Sequence, residues 1–233
     1  MAAAGSGQRL GAGGPKAFVE LGGRPLIEWS LLALAAAESI AAVVIAAPPG
    51  GEGEAEEALR RVGGEAGATV IAGGATRAES VALALEHVDT EIVAIHDAAR
   101  PLIEAELVDR VVARLTAEPQ LAGVIAAAPI ADTIKRSAEG RSIAETLSRE
   151  ELWAAQTPQA FRAEPLRDAQ HEARADGRLE SATDEAQLIE WTGGRVLLEA
   201  SGAPNLKVTD AADLAVVARL LAARDVGTDR PAT

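Results

Sequence analysis

The chain has 233 residues, and 48% of them are hydrophobic, which suffices for a sizeable core in a single domain spanning residues 1–233. Lys and Arg total 22 while Asp and Glu total 35, and the net charge of −13 argues against broad contacts with nucleic acid or an anionic membrane surface. Because cysteine is absent, disulfides, zinc–thiolate sites and thiol nucleophiles are excluded.

Short apolar segments alternate with amphipathic segments along most of the chain. The apolar segments predict buried strands over residues 41–47, 69–72, 91–96, 123–128 and 195–199. Helical spacing of apolar residues predicts helices over residues 25–37, 54–62, 77–87, 105–115, 164–174, 184–191 and 211–223. Nearly continuous apolar strands between helices predict a Rossmann-like α/β fold, in which a mostly parallel sheet carries helices on both faces.

The sequence shows neither a membrane-spanning segment nor a signal peptide. No segment approaches the roughly 18 apolar residues of a membrane span, and the N-terminus has no signal-peptide pattern. Together with the missing cysteines, this predicts a cytoplasmic protein that does not contact a membrane.

The polar stretch 131–148 interrupts the alternation of apolar and amphipathic segments and has no buried-strand pattern. We therefore predict an extended β-arm at about residues 130–150 that protrudes from the domain.

The first candidate for chemistry is the glycine-rich segment 2–16, which reads AAAGSGQRLGAGGPK. Its glycines allow a tight turn whose N–H groups can point at an anion, and Arg9 and Lys16 add two positive charges. A flexible N-terminus explains the glycine content equally well. The Walker pattern does not fit, because Ala17 rather than Ser or Thr follows Lys16, and the dinucleotide-binding fingerprint lacks its third glycine at Leu10.

Six short motifs follow one another along the chain. They are AAGSGQR with PK at 3–16, HDAARP at 96–101, DTIK at 132–135, LWAAQTPQ at 152–159, TDEA at 183–186 and NLKVT at 205–209. This ordered set resembles the 2-C-methyl-D-erythritol 4-phosphate cytidylyltransferase family of the non-mevalonate isoprenoid pathway, over residues 2 to about 221. The resemblance implies an enzyme that transfers CMP from CTP to that sugar-alcohol phosphate and releases pyrophosphate.

The resemblance also implies a nucleotide site. Its triphosphate loop corresponds to Ala3, Ala4, Gly5, Gly7, Arg9 and Lys16, with Arg9 and Lys16 as the catalytic cations. The segment 73–80 corresponds to the loop that holds cytosine, through Gly74, Arg77 and Ser80. Asp97 and Arg100 follow a predicted strand and, by resemblance, face the ribose and the acceptor, whereas His96 supports the strand end. A divalent cation, Mg²⁺, would be held mainly by the CTP phosphates, without a protein ligand cluster.

The acceptor site is implied in the same way. Asp97, Thr133, Arg149, Thr157 and Lys207 match family positions around methylerythritol phosphate. Since the family's arm reaches across a dimer, Thr133 and Arg149 would serve the neighbouring subunit of a homodimer. From position alone, Arg149 is as well explained as a solvated charge.

Two departures from the family pattern leave alternatives open. Ala75 stands where relatives often carry a polar or acidic residue, and the family's apolar first strand is missing before the glycine-rich loop. We expect that strand to be encoded upstream of Met1. The alternatives are a ribitol-5-phosphate cytidylyltransferase, which shares the scaffold and the chemistry, and an inactive nucleotide-binding or assembly protein.

Overall fold

The structure is a computed structural model that describes residues 1–5, 7, 10, 14–64 and 66–228. Its strands are β1 (Glu20–Leu21), β2 (Arg24–Pro25), β3 (Val43–Ala47), β4 (Ala68–Ala72), β5 (Ile92–Ile95), β6 (Gly123–Pro129), β7 (Lys135–Arg136), β8 (Glu145–Thr146), β9 (Trp153–Arg162) and β10 (Val196–Ala200). Its helices are α1 (Leu26–Ala36), α2 (Glu52–Val62), α3 (Arg77–Leu85), α4 (Ala105–Ala117), α5 (Ala163–Ala175), α6 (Glu185–Trp191) and α7 (Ala211–Thr228). Every predicted strand and helix overlaps an observed one.

A four-stranded sheet in the order β10–β6–β9–β5 lies at the centre of the fold. Strand β10 is parallel to β6, whereas β9 is antiparallel to both of its neighbours, β6 and β5. Strands β3 and β4 form a separate parallel pair. The predicted α/β class is confirmed, but β9 is absent from the predicted strands. Its middle carries Gln156, Thr157 and Pro158, which interrupt the apolar run that marks the other core strands.

Helices cover both faces of the central sheet. Val124 and Ile125 are neighbours on β6, so their side chains lie on opposite faces. Ile125 belongs to a buried cluster with residues of α3, α5 and α6, whereas Val124 belongs to one with residues of α4 and with Leu34 of α1. This double coverage explains why β6 is almost wholly apolar. Within the described residues, no helix has both the length and the apolar character needed to cross a bilayer.

A cavity of about 340 Å³ lies between β3 and β5, whose facing edges are not paired with each other. The first residues of the chain close it at one end, where Ala2 forms parallel bridges to Ala46 of β3 and to Asp97, two residues after the end of β5. The cavity walls include Leu34, Val81 and Leu85. An apolar strand joined to Met1 would enter this space. The expectation that such a strand precedes Met1 stays a prediction.

The polar segment after β6 forms an exposed antiparallel hairpin. Strands β7 and β8 pair Lys135 with Thr146 and Arg136 with Glu145, and the Lys135 Nζ donates to the Thr146 Oγ1 at 2.7 Å. Ile143 between them is 65% exposed. The hairpin lies at the predicted position of the arm, while a role in dimerisation stays a prediction.

Candidate active site

A pocket of about 360 Å³ lies beyond the carboxyl ends of β4 and β5. This edge is where ligands bind in open α/β sheets, because loops and helix N-termini meet there. The predicted site residues that line the pocket are Ala3, Ala4, Gly5, Lys16, Gly74, Arg77, Ser80, Asp97 and Lys207. The structure therefore brings together residues up to two hundred positions apart in the sequence.

The glycine-rich segment bends back on itself beside the pocket. Lys16 N donates to Gly5 O at 3.2 Å, and Gly7 has a positive φ of 67°. A Cβ at Gly7 would lie 3.0 Å from both Gly14 O and Lys16 N, so this close approach requires glycine. The Lys16 Nζ donates to Val208 O at 2.8 Å, which ties the segment to the NLKVT motif. Arg9 lies outside the described residues, so its assignment stays a prediction.

The turn between β4 and α3 is held by its own side chains. Thr76 caps α3 by accepting from Glu79 N at 3.1 Å. The Glu79 carboxylate accepts from Ala75 N at 2.8 Å, and Ser80 Oγ accepts from Gly74 N at 3.0 Å. Ser80 is only 1% exposed, so its hydroxyl shapes the turn. Sequence reasoning missed Thr76 and Glu79, although Thr followed by Glu three residues later is a capping pattern.

An alternating chain of charges crosses the pocket floor. One Asp97 oxygen accepts from Arg77 Nε at 2.9 Å and the other accepts from Lys207 Nζ at 2.7 Å. The NH1 group of Arg77 donates to both oxygens of Glu185, each at 2.9 Å. Burial disfavours the charged form of Asp97, but the positive charges of Arg77 and Lys207 outweigh it and hold the pKa of Asp97 well below its usual range. Asp97 is therefore an anion at neutral pH.

His96 and Thr157 lie behind the pocket rather than in it. Thr157 Oγ1 accepts from Asp97 N at 3.1 Å and lies within hydrogen-bond distance of His96 Nδ1, at 3.0 Å. Burial lowers the pKa of His96 to about 3, which keeps the ring neutral. This agrees with the predicted supporting role of His96. Thr157 is 3% exposed and its hydroxyl is engaged, so it positions the Asp97 backbone.

Three other predicted residues lie away from the pocket lining. The NH1 of Arg100 donates to Asn205 O at 2.8 Å, and the Asn205 side chain in turn donates to Thr157 O. Arg100 therefore braces the segment that carries Lys207. Thr133 and Arg149 lie at the base of the hairpin, where the NH1 of Arg149 donates to Ala131 O at 2.7 Å. Their roles as ligands stay predictions.

Glu185 is the residue next to the site that sequence reasoning missed most clearly, a buried carboxylate bonded to Arg77. It belongs to the TDEA motif, so the motif pointed at this position, but nothing in the local sequence says that a carboxylate there is buried. Among the residues that the structure describes, no group of three His, Cys, Asp or Glu side chains could hold a metal ion. The proposed coordination of Mg²⁺ by CTP phosphates is not tested by this.

An α/β sheet with three cationic side chains and a glycine-rich turn at its carboxyl edge suits the binding of phosphate groups, as nucleotidyltransferases require. The sequence model of the 2-C-methyl-D-erythritol 4-phosphate cytidylyltransferase family matches residues 1–223. The chain belongs to this family.

Named relatives agree over almost the full length. The chain is 44% identical to the 2-C-methyl-D-erythritol 4-phosphate cytidylyltransferase of Prochlorococcus marinus, with 95% of this chain and 96% of the relative covered. It is 41% identical to the enzyme of that name from Dechloromonas aromatica, at 95% and 96% coverage. The crystal structure of the enzyme of the same name from Thermus thermophilus superposes with a TM-score of 0.74 at 39% identity, covering 91% of this chain and 95% of that chain.

Proposed function

We propose that the protein transfers CMP from CTP to 2-C-methyl-D-erythritol 4-phosphate with release of pyrophosphate, as a step of isoprenoid precursor synthesis in the cytoplasm. The observation that carries the proposal is the convergence of Lys16, Arg77 and Lys207 on one pocket at the carboxyl edge of the sheet. Two polyanions must meet in this reaction, and three converging cations offset their repulsion.

The reaction needs no general base from the protein. A phosphate monoester has a second pKa of about 6, so the acceptor phosphate is already largely dianionic at neutral pH. Its oxygen attacks the α-phosphorus of CTP in line, a new P–O bond forms, and the bond to pyrophosphate breaks. Lys16 lies on the glycine-rich side of the pocket, where it can compensate the charge of the triphosphate. The neutral, buried His96 is not used as a base.

Asp97 contributes a negatively charged hydrogen-bond acceptor to the pocket. An ionised carboxylate repels phosphate but accepts hydrogen bonds from hydroxyl groups. Hydroxyls of the acceptor or of the ribose are therefore the groups it suits. Lys207, paired with Asp97 at 2.7 Å, lies where a phosphate can approach on the side away from that carboxylate. This pairing fixes Lys207 before substrate arrives.

The proposed cofactor is Mg²⁺, which would neutralise the triphosphate. Among the described residues that line the pocket, Asp97 is the one carboxylate, and both of its oxygens already accept from Arg77 and Lys207. This donor set fits an ion held mainly by CTP and water, because Mg²⁺ keeps several waters and binds substrate phosphates readily.

The function is tested by measuring pyrophosphate release from CTP with 2-C-methyl-D-erythritol 4-phosphate and, separately, with ribitol 5-phosphate. We expect turnover with the first acceptor, abolished by a chelator and restored by Mg²⁺. Faster turnover with ribitol 5-phosphate would establish the alternative acceptor. Binding of CTP without pyrophosphate release in either assay would establish an inactive nucleotide-binding protein.

The proposed homodimer completes each site through the hairpin. Exposure of Ile143 and the position of Thr133 and Arg149 outside the pocket lining support a partner that covers the hairpin. We expect light scattering to give twice the mass of one chain. The variant Ile143→Asp should weaken the dimer, whereas Leu198→Asp, which also charges an exposed apolar site, should not.

Mixing two inactive variants tests the shared site directly. Lys16→Ala and Arg149→Ala should each be inactive alone. If Arg149 acts in the partner's site, a mixed dimer has one intact site out of two, and random mixing restores about a quarter of wild-type activity. Absence of any recovery in a verified mixed dimer would place Arg149 in its own subunit's site.

A further inference from the structure

The first residue of α6 is a buried carboxylate in contact with the pocket. Glu185 is 1% exposed, and its two oxygens lie 2.9 Å from the NH1 group of Arg77. It does not line the pocket itself. Its contact with the site therefore passes through Arg77, which lines the pocket and also pairs with Asp97.

The helix does not need Glu185 in order to begin. Asp184 is the N-cap of α6, and its side chain accepts from Gln187 N at 3.1 Å. A second carboxylate beside the cap, wholly removed from water, costs free energy, and a well-packed uncharged side chain at such a site is often equally stable or more stable. The burial of Glu185 is thus poorly explained by folding alone.

The geometry of Arg77 shows what this carboxylate does. Arg77 begins α3, and its guanidinium reaches two carboxylates with two different nitrogens, Nε to Asp97 and NH1 to Glu185. With these two edges engaged, the guanidinium plane is fixed and NH2 remains for a ligand in the pocket. If Glu185 were uncharged, Arg77 could turn to pair with Asp97 through two nitrogens, as guanidinium–carboxylate pairs prefer. That turn would displace NH2 and disturb the Asp97–Lys207 pair.

We propose that Glu185 is a positioning residue for nucleotide transfer, whose buried carboxylate holds the Arg77 guanidinium, and through it Asp97, in the orientation that receives CTP. The inference rests on the proposed function. When Glu185 is ionised, its charge also offsets that of Arg77, the pocket cation that it orients.

The test measures kcat/KM for CTP in the full-length enzyme. Glu185→Gln keeps the size and removes the charge, and we expect a loss of about tenfold or more, typical of a hydrogen bond between charged groups. The control is Glu190→Gln on the exposed side of the same helix, which should match wild type. If the wild type itself releases no pyrophosphate, the proposed function fails. If the wild type is active and Glu185→Gln has the same kcat/KM, the proposed role of Glu185 is wrong while the proposed function stands.

A double-mutant cycle separates positioning from a merely structural role. In an Arg77→Ala background, Glu185→Gln should cause little further loss, because the residue through which Glu185 acts has been removed. Additive losses would overturn the proposal. Should Glu185→Gln not fold, Glu185→Asp provides the same test, since it keeps the charge but is one methylene too short. Wild-type kcat/KM in that variant would also overturn the proposal.

Discussion

Replacement of Lys16 by alanine is expected to lower kcat for CMP transfer by about 100-fold to 1000-fold, the usual loss when one preorganised charge-stabilising donor is removed. Lys16 lines the pocket and its ammonium group is anchored on Val208 O at 2.8 Å. The ammonium can therefore meet the triphosphate without reorganising. Loss of the hydrogen bond to Val208 O costs the fold about 1 kcal/mol.

Pyrophosphate release and thermal unfolding should be measured on the same preparation. The matched control is Arg114→Ala, which also removes one positive charge but lies on the exposed side of α4, where it pairs with Glu118. The control should retain wild-type kcat. A Lys16→Ala enzyme with near-normal turnover would contradict the role of the glycine-rich segment, whereas a large loss of stability would show that Lys16 is needed for folding.

Joining an apolar extension of about five residues to Met1 is expected to raise the melting temperature by roughly 5–10 °C. The cavity between β3 and β5 is flanked by two unpaired strand edges, and Ala2 already lies parallel to both. An extended segment of β-branched residues would pair with both edges and fill the cavity. Each buried side chain contributes about 1.5–3 kcal/mol before the cost of ordering it, and a net gain of a few kcal/mol gives this shift in a chain of this size.

The same extension should change how stability depends on pH. In a chain that begins with a free amino group at Met1, burial lowers the pKa of this ammonium from 8.0 to about 6, against the attraction of Asp97 and with the repulsion of Arg77. The unfolded chain therefore binds this proton more tightly, so the free energy of unfolding rises as pH increases from about 6 to 8. At about 1.4 kcal/mol per pKa unit, the whole effect is about 3 kcal/mol, of which about 2 kcal/mol falls between pH 6 and 8. An extended chain has an amide there and should lose this rise.

One neighbouring group adds a smaller slope of the same sign near pH 6. Burial lowers the pKa of His96 to about 3, so its contribution is complete only above its ordinary pKa of about 6.5, whereas the pKa of Asp97 lies well below its usual range and adds nothing between pH 6 and 8. Chemical denaturation at several pH values between 7 and 8, where His96 is almost wholly neutral in both states, therefore measures the slope that Met1 contributes. The control is an extension of equal length made of Ser, Asn and Gly, which should remove the slope without raising the melting temperature. An apolar extension that leaves the melting temperature unchanged would show that the cavity does not accept a strand.

The sequence predicted most of the elements because most of them obey local rules. Apolar runs mark β3 and β6, which pack within the buried clusters, and helical spacing marks α4, whose apolar side packs on the sheet. Strand β9 was not predicted from the sequence, because it is stabilised by pairing with β5 and β6, which lie far away in the chain. Some of its polar groups find partners there: Gln159 Nε2 donates to Asp184 at 3.0 Å, and Thr157 Oγ1 accepts from Asp97 N at 3.1 Å.

The site was predicted in part, because its motifs are local but the contacts between them are not. Motif order identified Lys16, Asp97 and Lys207, which the structure brings to one pocket. It also pointed at Thr157 and Arg100, which make hydrogen bonds to the protein and do not line the pocket; their contacts with a ligand stay predictions. A motif indicates that a residue type is required at a position. It does not show whether that residue contacts a ligand or supports a neighbouring residue.

The sequence by itself determined the family, the α/β class and the types of residue that a polyanion site requires, because composition, periodicity and motif spacing are properties of the chain. Only the tertiary structure decided which cations pair with which carboxylates, and that Asp97 is ionised while His96 is neutral. It also decided that Glu185 binds Arg77 from outside the pocket. These depend on burial and on distances of about 3 Å between groups far apart in sequence, and a change of 1 Å in such a distance alters hydrogen bonds and pKa values that no local pattern encodes.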